Sequence, residues 1–105
     1  MNLIELNAFE VLKLLDTNKV STVEYVSELF MHIKKREPYV EAWASLNEDL
    51  VTSYARKIDE KRSSKIQKPF AGIPIGIKDI IDTKDFPTEN GSKTCLGRKP
   101  QEDAQ

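Results

Sequence analysis

The sequence predicts an α/β fold in which a mainly helical part, residues 1–68, precedes a strand- and turn-rich part, residues 69–105. The first part carries apolar residues at helical spacing behind residues that commonly cap helices. The second part contains all four glycines and four of the five prolines, the residue types that favour turns. It also contains isoleucines at alternate positions, which is the spacing of a strand. The backbone chemistry therefore changes near Pro69, although no flexible linker separates the two parts.

Two N-terminal helices are indicated by capping boxes, in which a polar residue precedes a glutamate by three positions. Asn7 with Glu10 begins the first helix, and Ser21 with Glu24 begins a longer second one. Each box is followed by apolar residues three and four positions apart, which is the pattern of a helix packed on one side. These positions are Ala8, Val11, Leu12 and Leu15 in the first helix and Val23, Val26, Leu29, Phe30 and Ile33 in the second.

The second helix is expected to end before Pro38, because proline disfavours helical geometry at the residue that precedes it. The basic residues 34–36 would then occupy its last turn, where cations offset the negative end of the helix dipole. Residues 40–46 combine β-branched, aromatic and small side chains between helix signals, and they predict a first strand. Asn47 would cap a third helix that ends in the polar stretch 60–68. Its predicted core face consists of Leu50, Val51, Tyr54, Ala55 and Ile58.

Composition restricts the classes of protein to which the chain can belong. Its 105 residues leave room for one domain at most, and a net charge of −1 provides no large field of one sign to attract nucleic acid or membrane. No apolar run reaches the roughly 18 residues of a membrane helix, and acidic residues stand where a signal peptide would be basic. We therefore expect a cytoplasmic protein without direct nucleic-acid or membrane contacts. One cysteine and one histidine cannot by themselves form a disulfide or a four-ligand zinc site, so no metal or other cofactor is predicted.

The segment after Pro69 carries the candidate chemistry. Isoleucines at positions 73, 75 and 77 alternate with Pro74, Gly76 and Lys78, which predicts a strand with one apolar face and one face nearly free of side chains. Gly76 leaves space above this strand for close approach by another backbone or a ligand. Lys78 is the first large side chain on the open face. The pattern alone favours a solvated charge for a lysine at this position.

Residues 72–79, with the sequence Gly-Ile-Pro-Ile-Gly-Ile-Lys-Asp, resemble the core motif in the N-terminal part of the amidase signature family. The resemblance continues through Asp82-Thr83 and through residues 87–92, Pro-Thr-Glu-Asn-Gly-Ser. The leading helices, residues 40–44 before the third helix, and the closing residues 97–100 with 103–104 also follow the family's order, so that the resemblance covers nearly the whole chain. It implies an α/β/α sandwich around a large mixed sheet, to which this chain would contribute outer helices and the first strands.

In that family the lysine of the core motif is the base of a Ser/cis-Ser/Lys triad, and the resemblance assigns this role to Lys78. Lysine side chains ordinarily have a pKa of about 10.4 and are protonated at neutral pH, so the mechanism requires surroundings that favour the neutral amine. The neutral lysine accepts a proton, through the bridging serine, from the nucleophilic serine. That serine attacks the amide carbonyl, and water later cleaves the acyl-enzyme.

Neither serine of the triad has a counterpart in this chain. The family's glycine- and serine-rich segment follows the Lys-Asp motif by several tens of residues, whereas this sequence ends at Gln105. We therefore expect residues 1–105 to be a partial amidase domain. Four further positions are candidates for supporting or structural roles around Lys78. They are Asp79, expected to orient local backbone, Gly76, and Gly91 with Ser92, which shape the site in the family and can equally serve as a structural cap.

The motif leaves several functions open. The leading hypothesis is the N-terminal part of an amidase that hydrolyses amide C–N bonds of a small molecule, with Lys78 as its one catalytic residue here and no activity alone. An alternative is the corresponding part of the tRNA-dependent amidotransferase A subunit, which hydrolyses glutamine and shares the motif. Residues 42–44, Ala-Trp-Ala, favour the stand-alone amidase. A non-enzymatic remnant or interaction module is the remaining alternative, and the sequence identifies neither a substrate nor an oligomeric state.

An isolated piece of such a sandwich would be incompletely covered. Two-stranded sheets are marginally stable in water, and an open strand edge would permit self-association. We therefore expect poor coverage of the apolar side chains near the lysine, which are Ile73, Ile75, Ile77, Ile80 and Ile81.

Overall fold

The computed structural model of the chain describes residues 1–64 and 68–105. Within them, α1 spans Ala8–Asp16, α2 spans Thr22–Val40 and α3 spans Glu48–Arg62, and short 3₁₀ helices lie at Leu3–Glu5 and Lys93–Cys95. The chain forms two compact units. We call residues 1–42 with 47–74 the helical unit, and residues 43–46 with 75–105 the irregular unit. None of the helices in the described ranges is both long enough and apolar enough to span a bilayer.

The predicted α/β fold was wrong, because the regular elements of the described residues are all helices and no strand occurs among them. Val40 is the last residue of α2, and residues 41–46 and 73–78 lie outside regular elements. A strand is stabilised by backbone hydrogen bonds to a neighbouring strand, which this part of the chain does not provide. Alternating isoleucines give the side-chain period of a strand, but they do not supply the neighbouring strand to which it would bond. The expected first strands of a mixed sheet, and the sheet edge for self-association, are therefore not found in the described residues.

The helix starts follow the sequence closely. The Glu10 N–H donates to the Asn7 side chain at 3.1 Å, and the Asn7 N–H donates to the Glu10 carboxylate at 2.8 Å. Ser21 and Glu24 form the same reciprocal pair at 3.1 and 2.7 Å. The Asn47 side chain accepts the N–H three residues further on, also at 3.1 Å. All three predicted caps are confirmed, because a cap needs only neighbours within one turn.

The end of α2 differs from the prediction, since the helix continues two residues beyond Pro38. A proline in the last turn removes one backbone donor, which a helix close to its end tolerates at modest cost. The helix stops at Glu41, whose φ of 49° is left-handed and whose N–H donates to the Glu37 carbonyl at 2.9 Å. The basic residues 34–36 therefore lie before the last turn rather than in it, and Lys34 forms an ion pair with Glu48.

The core of the helical unit lies between α2 and α3. Its buried side chains belong to Val26, Phe30 and Ala55, and Val23 and Val51 pack against them half-buried. The α1 residues Val11 and Leu15 are buried as well. These positions confirm the helical periodicity, whereas Tyr54, predicted to face the core, is 39% exposed.

Two polar residues of α3 tie the unit together, and the first is Asp59. Its carboxylate oxygens accept the N–H groups of Thr22 at 2.7 Å and Val23 at 3.0 Å. These are the first two amides of α2, which have no partner inside the helix. Asp59 therefore caps α2 from a residue far away in sequence, in addition to the local cap from Ser21.

The second polar residue of α3 that ties the unit together is Arg62, whose side chain is only 8% exposed. Its guanidinium donates to Asp16 at the end of α1 at 2.9 Å and to the carbonyl of Ala71 at 2.8 Å. Beside this contact Gly72 has a φ of +99°, and a Cβ added there would lie 2.8 Å from Leu15 Cδ1. Glycine is thus required both by the backbone conformation and by the lack of space.

Removing the distant cap should destabilise the helical unit measurably. We expect Asp59→Ala to lower the free energy of unfolding by about 1–2 kcal/mol, because two amides of α2 lose their acceptor. The neighbouring exposed Glu60 is the matched control, and Glu60→Ala should change stability by less than about 0.5 kcal/mol. Urea denaturation followed by far-UV circular dichroism measures both, and equal losses would contradict this role of Asp59.

The tight contact at Gly72 gives a second test. Gly72→Ala should cost about 1–3 kcal/mol from overpacking, in addition to the cost of its backbone conformation. The overpacking part should shrink when Leu15→Val removes the Cδ1 atom nearest to the added methyl group. A double-mutant cycle by urea denaturation measures this coupling, and strictly additive losses would show that Leu15 is not what excludes a side chain.

Candidate functional site

Lys78 lies in the irregular unit at the start of a turn. Its carbonyl accepts the N–H of Ile81 at 3.0 Å, which closes the turn over residues 78–81. The Lys78 side chain is exposed, so water can hydrate its amine. The backbone that carries the lysine is thus defined, while the desolvation that a neutral amine requires is not supplied by the described residues.

Asp79 joins the lysine turn to the loop at residues 89 and 90. The Glu89 N–H donates to the Asp79 carboxylate at 3.1 Å, and the Asn90 N–H donates to the Asp79 carbonyl at 2.9 Å. The Glu89 carboxylate in turn accepts the Gly97 N–H at 2.6 Å. Asp79 is half-buried and contacts backbone groups, which is the kind of contact expected of a residue that orients the loop beside Lys78.

Asp82 directly follows the lysine turn and forms a paired contact with Arg98. The guanidinium nitrogens donate to the two carboxylate oxygens at 2.7 and 3.0 Å. These hydrogen bonds lower the pKa of the Asp82 carboxyl below its ordinary value and raise the pKa of Arg98. In the sequence, Asp82 stood out only as part of the resemblance and Arg98 had no role of its own, since nothing in the sequence indicates contact between residues 16 positions apart.

Thr88 is the buried residue of this loop, with an exposed fraction of 1%. Its N–H donates to the Arg98 carbonyl at 2.9 Å, and its hydroxyl donates to the Ile81 carbonyl at 3.4 Å. In the sequence, Thr88 stood out only as part of the resemblance. The turn that begins at Lys78, with Asp82 directly after it, is thus connected to residues 88 and 98 by side-chain hydrogen bonds rather than by the backbone hydrogen bonds of a sheet.

Gly76 has the indole of Trp43 above it. A Cβ at this glycine would lie 3.1 Å from the Trp43 ring atom Cη2, a separation tighter than ordinary van der Waals contact. The space that the sequence predicted above Gly76 is therefore occupied by an aromatic ring. Packing accounts for the glycine at this position.

Gly91 and Ser92 lie on the surface of the same unit. Gly91 has a φ of +65°, and no described heavy atom lies within 4 Å of a Cβ built there, so the backbone conformation alone favours glycine. The Ser92 hydroxyl lies 2.8 Å from the Thr94 hydroxyl and caps the 3₁₀ helix at Lys93–Cys95. Both residues follow Asn90, which places them next to the loop that Asp79 holds.

The isoleucines around Lys78 are largely uncovered, as the sequence led us to expect. Ile73 is half-buried. The four others are exposed, with fractions of 76% for Ile75, 47% for Ile77, 58% for Ile80 and 46% for Ile81. Apolar surface of this extent beside a candidate catalytic group is typical of a face that another part of a protein covers.

Comparison with known proteins identifies the relatives of the chain. The family described as Amidase matches residues 24–105. The chain is 33% identical over 99 residues, 93% of its length, to the glutamyl-tRNA(Gln) amidotransferase A subunit of Rhodopirellula baltica, of which the match covers 20%. It is 42% identical over 86 residues, 82% of its length, to the protein of the same name from Limosilactobacillus reuteri, of which 17% is covered. For the corresponding protein of Geobacillus thermodenitrificans the values are 34% over 105 residues, 99% of this chain and 22% of that protein. The chain thus spans about a fifth of the length of these curated relatives.

The contact between Asp82 and Arg98 predicts a specific response to acid. Because the folded chain holds the pKa of Asp82 below its ordinary value of about 3.9, the contact contributes stability that is fully present above that value. This stability is lost as the pH falls through the lower pKa of the folded state. NMR titration of the Asp82 carboxyl carbon should therefore give a lower midpoint in the unmodified chain than in Arg98→Met. Equal midpoints would show that Arg98 does not interact with Asp82 in solution.

Proposed function

The chain belongs to the amidase family, and we propose that it supplies the lysine of an amide-hydrolysing proton relay. The observation that carries this proposal is the position of Lys78. It stands in the Lys-Asp motif inside the matched residues 24–105, on a turn that hydrogen bonds hold, with its amine on the surface. Such a lysine is available to a partner group brought to it by further protein.

In the proposed chemistry, Lys78 acts as a general base. Its neutral amine accepts the proton that a serine hydroxyl loses, through a bridging serine, as the serine attacks an amide carbonyl. Both serines would come from residues outside this chain. We propose that the same residues cover the exposed isoleucines and exclude water from the amine, because an exposed ammonium is well hydrated and accepts no proton. Amide hydrolysis would then depend on this segment without being performed by it alone.

A second candidate is the A subunit of a glutamyl-tRNA(Gln) amidotransferase. The names of the relatives described above favour it. The preference for a stand-alone amidase rested on residues 42–44, and the packing of Trp43 on Gly76 gives that tryptophan a structural reason that either kind of enzyme could share. In this case the small-molecule substrate would be glutamine, and other subunits of the amidotransferase would be partners. Copurification of such subunits with the native gene product would favour the amidotransferase, and an active protein that purifies alone would favour the amidase.

The role of Lys78 can be tested by ammonia release. The 105-residue chain alone should release no ammonia from simple amides or glutamine, because the proposed nucleophilic serine lies outside it. In the full-length product of the native gene, Lys78→Ala should lower the rate by about 10²–10⁴-fold, the usual contribution of a general base. Lys99→Ala, at another exposed lysine of the irregular unit, is the matched control and should retain the rate. Full activity of Lys78→Ala would overturn the proposal.

A further inference from the structure

Arg98 contacts Asp82 and Thr88. Asp82 directly follows the turn that begins at Lys78, and Thr88 donates its hydroxyl to the Ile81 carbonyl in that turn. We propose that Arg98 is a positioning residue for Lys78, acting through Asp82 and Thr88. The inference rests on the proposed function of Lys78 as a base, and it adds a residue that is distant from the motif in sequence. Arg98 itself would not touch the substrate or the reacting atoms.

The contact between Arg98 and Asp82 is directional. Two guanidinium nitrogens meet two carboxylate oxygens at 2.7 and 3.0 Å, which is the paired arrangement that fixes direction as well as distance. A lysine ammonium could not reproduce it, because its donors do not form a planar fork. Asp82 directly follows the turn that Lys78 begins. Fixing Asp82 therefore fixes the end of that turn.

The contact between Arg98 and Thr88 reaches the same turn by a second route. The Arg98 carbonyl accepts the Thr88 N–H at 2.9 Å, and the Arg98 guanidinium donates to the Thr88 carbonyl at 3.4 Å. Thr88 is almost fully buried and donates its hydroxyl to the Ile81 carbonyl. Arg98 thus acts on the end of the lysine turn twice, on Asp82 directly and on Ile81 through Thr88.

The positioning role of Arg98 is separable from folding. The side chains of Arg98 and Asp82 are 44% and 39% exposed, and exposed ion pairs add little to stability. The segment has independent attachments, since the Ala104 N–H donates to the Asp82 carbonyl at 2.8 Å and the Lys84 N–H donates to Asp103 at 2.9 Å. Loss of the guanidinium should therefore change the direction of the turn without unfolding the unit. A small misplacement of a catalytic group is enough to reduce a rate strongly.

The test uses the full-length product of the native gene with the substitution Arg98→Met, which keeps length and removes the donors. We expect kcat for ammonia release to fall by about 10–100-fold with KM nearly unchanged, and the pH dependence of kcat/KM to shift because the base is displaced. Arg98→Lys should lose less than Arg98→Met. Arg56→Met, at an exposed arginine of α3, is the control and should behave like the parent protein. Circular dichroism shows whether each variant is folded, and Asp82→Asn, which keeps the shape of the side chain, replaces Arg98→Met if that variant is not.

The outcomes for Arg98 and Lys78 are distinguishable. A reduced kcat with a shifted pH profile in a folded Arg98→Met protein supports the positioning role. A parental kcat and pH profile in Arg98→Met, together with an inactive Lys78→Ala protein, overturns the positioning role and leaves the proposed function intact. Full activity of Lys78→Ala would overturn both.

Discussion

The proposed positioning of Lys78 depends on the paired contact between Arg98 and Asp82. Residues 75–105 contain one 3₁₀ helix of three residues as their regular element in the described structure, so a helix or sheet ladder cannot organise their backbone. Buried or half-buried backbone groups must nevertheless find partners. Backbone carbonyls accept some of these N–H groups. Side chains provide further partners, with Asp79, Glu89 and Asp103 accepting backbone N–H groups and Arg98 joining Asp82 to Thr88.

The helical unit also relies on polar side chains. Its buried apolar core is small, with Val11, Leu15, Val26, Phe30 and Ala55 as its members. A core of this size contributes limited stabilisation, so that polar attachments matter more than in a large domain. Asp59 and Arg62 lie on α3, and between them they bond to the start of α2, the end of α1 and the residue before Gly72. One helix thereby holds the start of α2 and the end of α1 in place.

Most features that depend on neighbours in sequence were predictable, whereas contacts between particular distant residues were not. The capping boxes at Asn7 and Ser21 need contacts within one turn, and both formed as the sequence indicated. The predicted strands failed because a strand depends on a partner, and alternation at residues 73–77 cannot provide one. The end of α2 was misplaced since the rule for Pro38 does not consider how little hydrogen bonding remains to be lost in a last turn.

At the candidate site, Lys78 was found through its motif and not through its periodicity, which favoured an ordinary solvated charge. Arg98 could not be found in either way, because its importance arises from a contact with Asp82 that only the folded chain reveals.

Hydrogen bonds from backbone and side-chain groups hold the loop behind Lys78, while the isoleucine face beside it is uncovered. Amide hydrogen exchange in the 105-residue chain tests this most directly. The amides of Thr88 and Asn90, which donate to the backbone carbonyls of Arg98 and Asp79, should exchange slowly, whereas those of Ile75 and Ile77 should exchange rapidly. Equally slow exchange of all four amides would contradict the account, because it would mean that residues 75–77 are already covered and bonded within this chain. Equally rapid exchange would contradict it as well, because it would mean that the loop at residues 88–90 is not held.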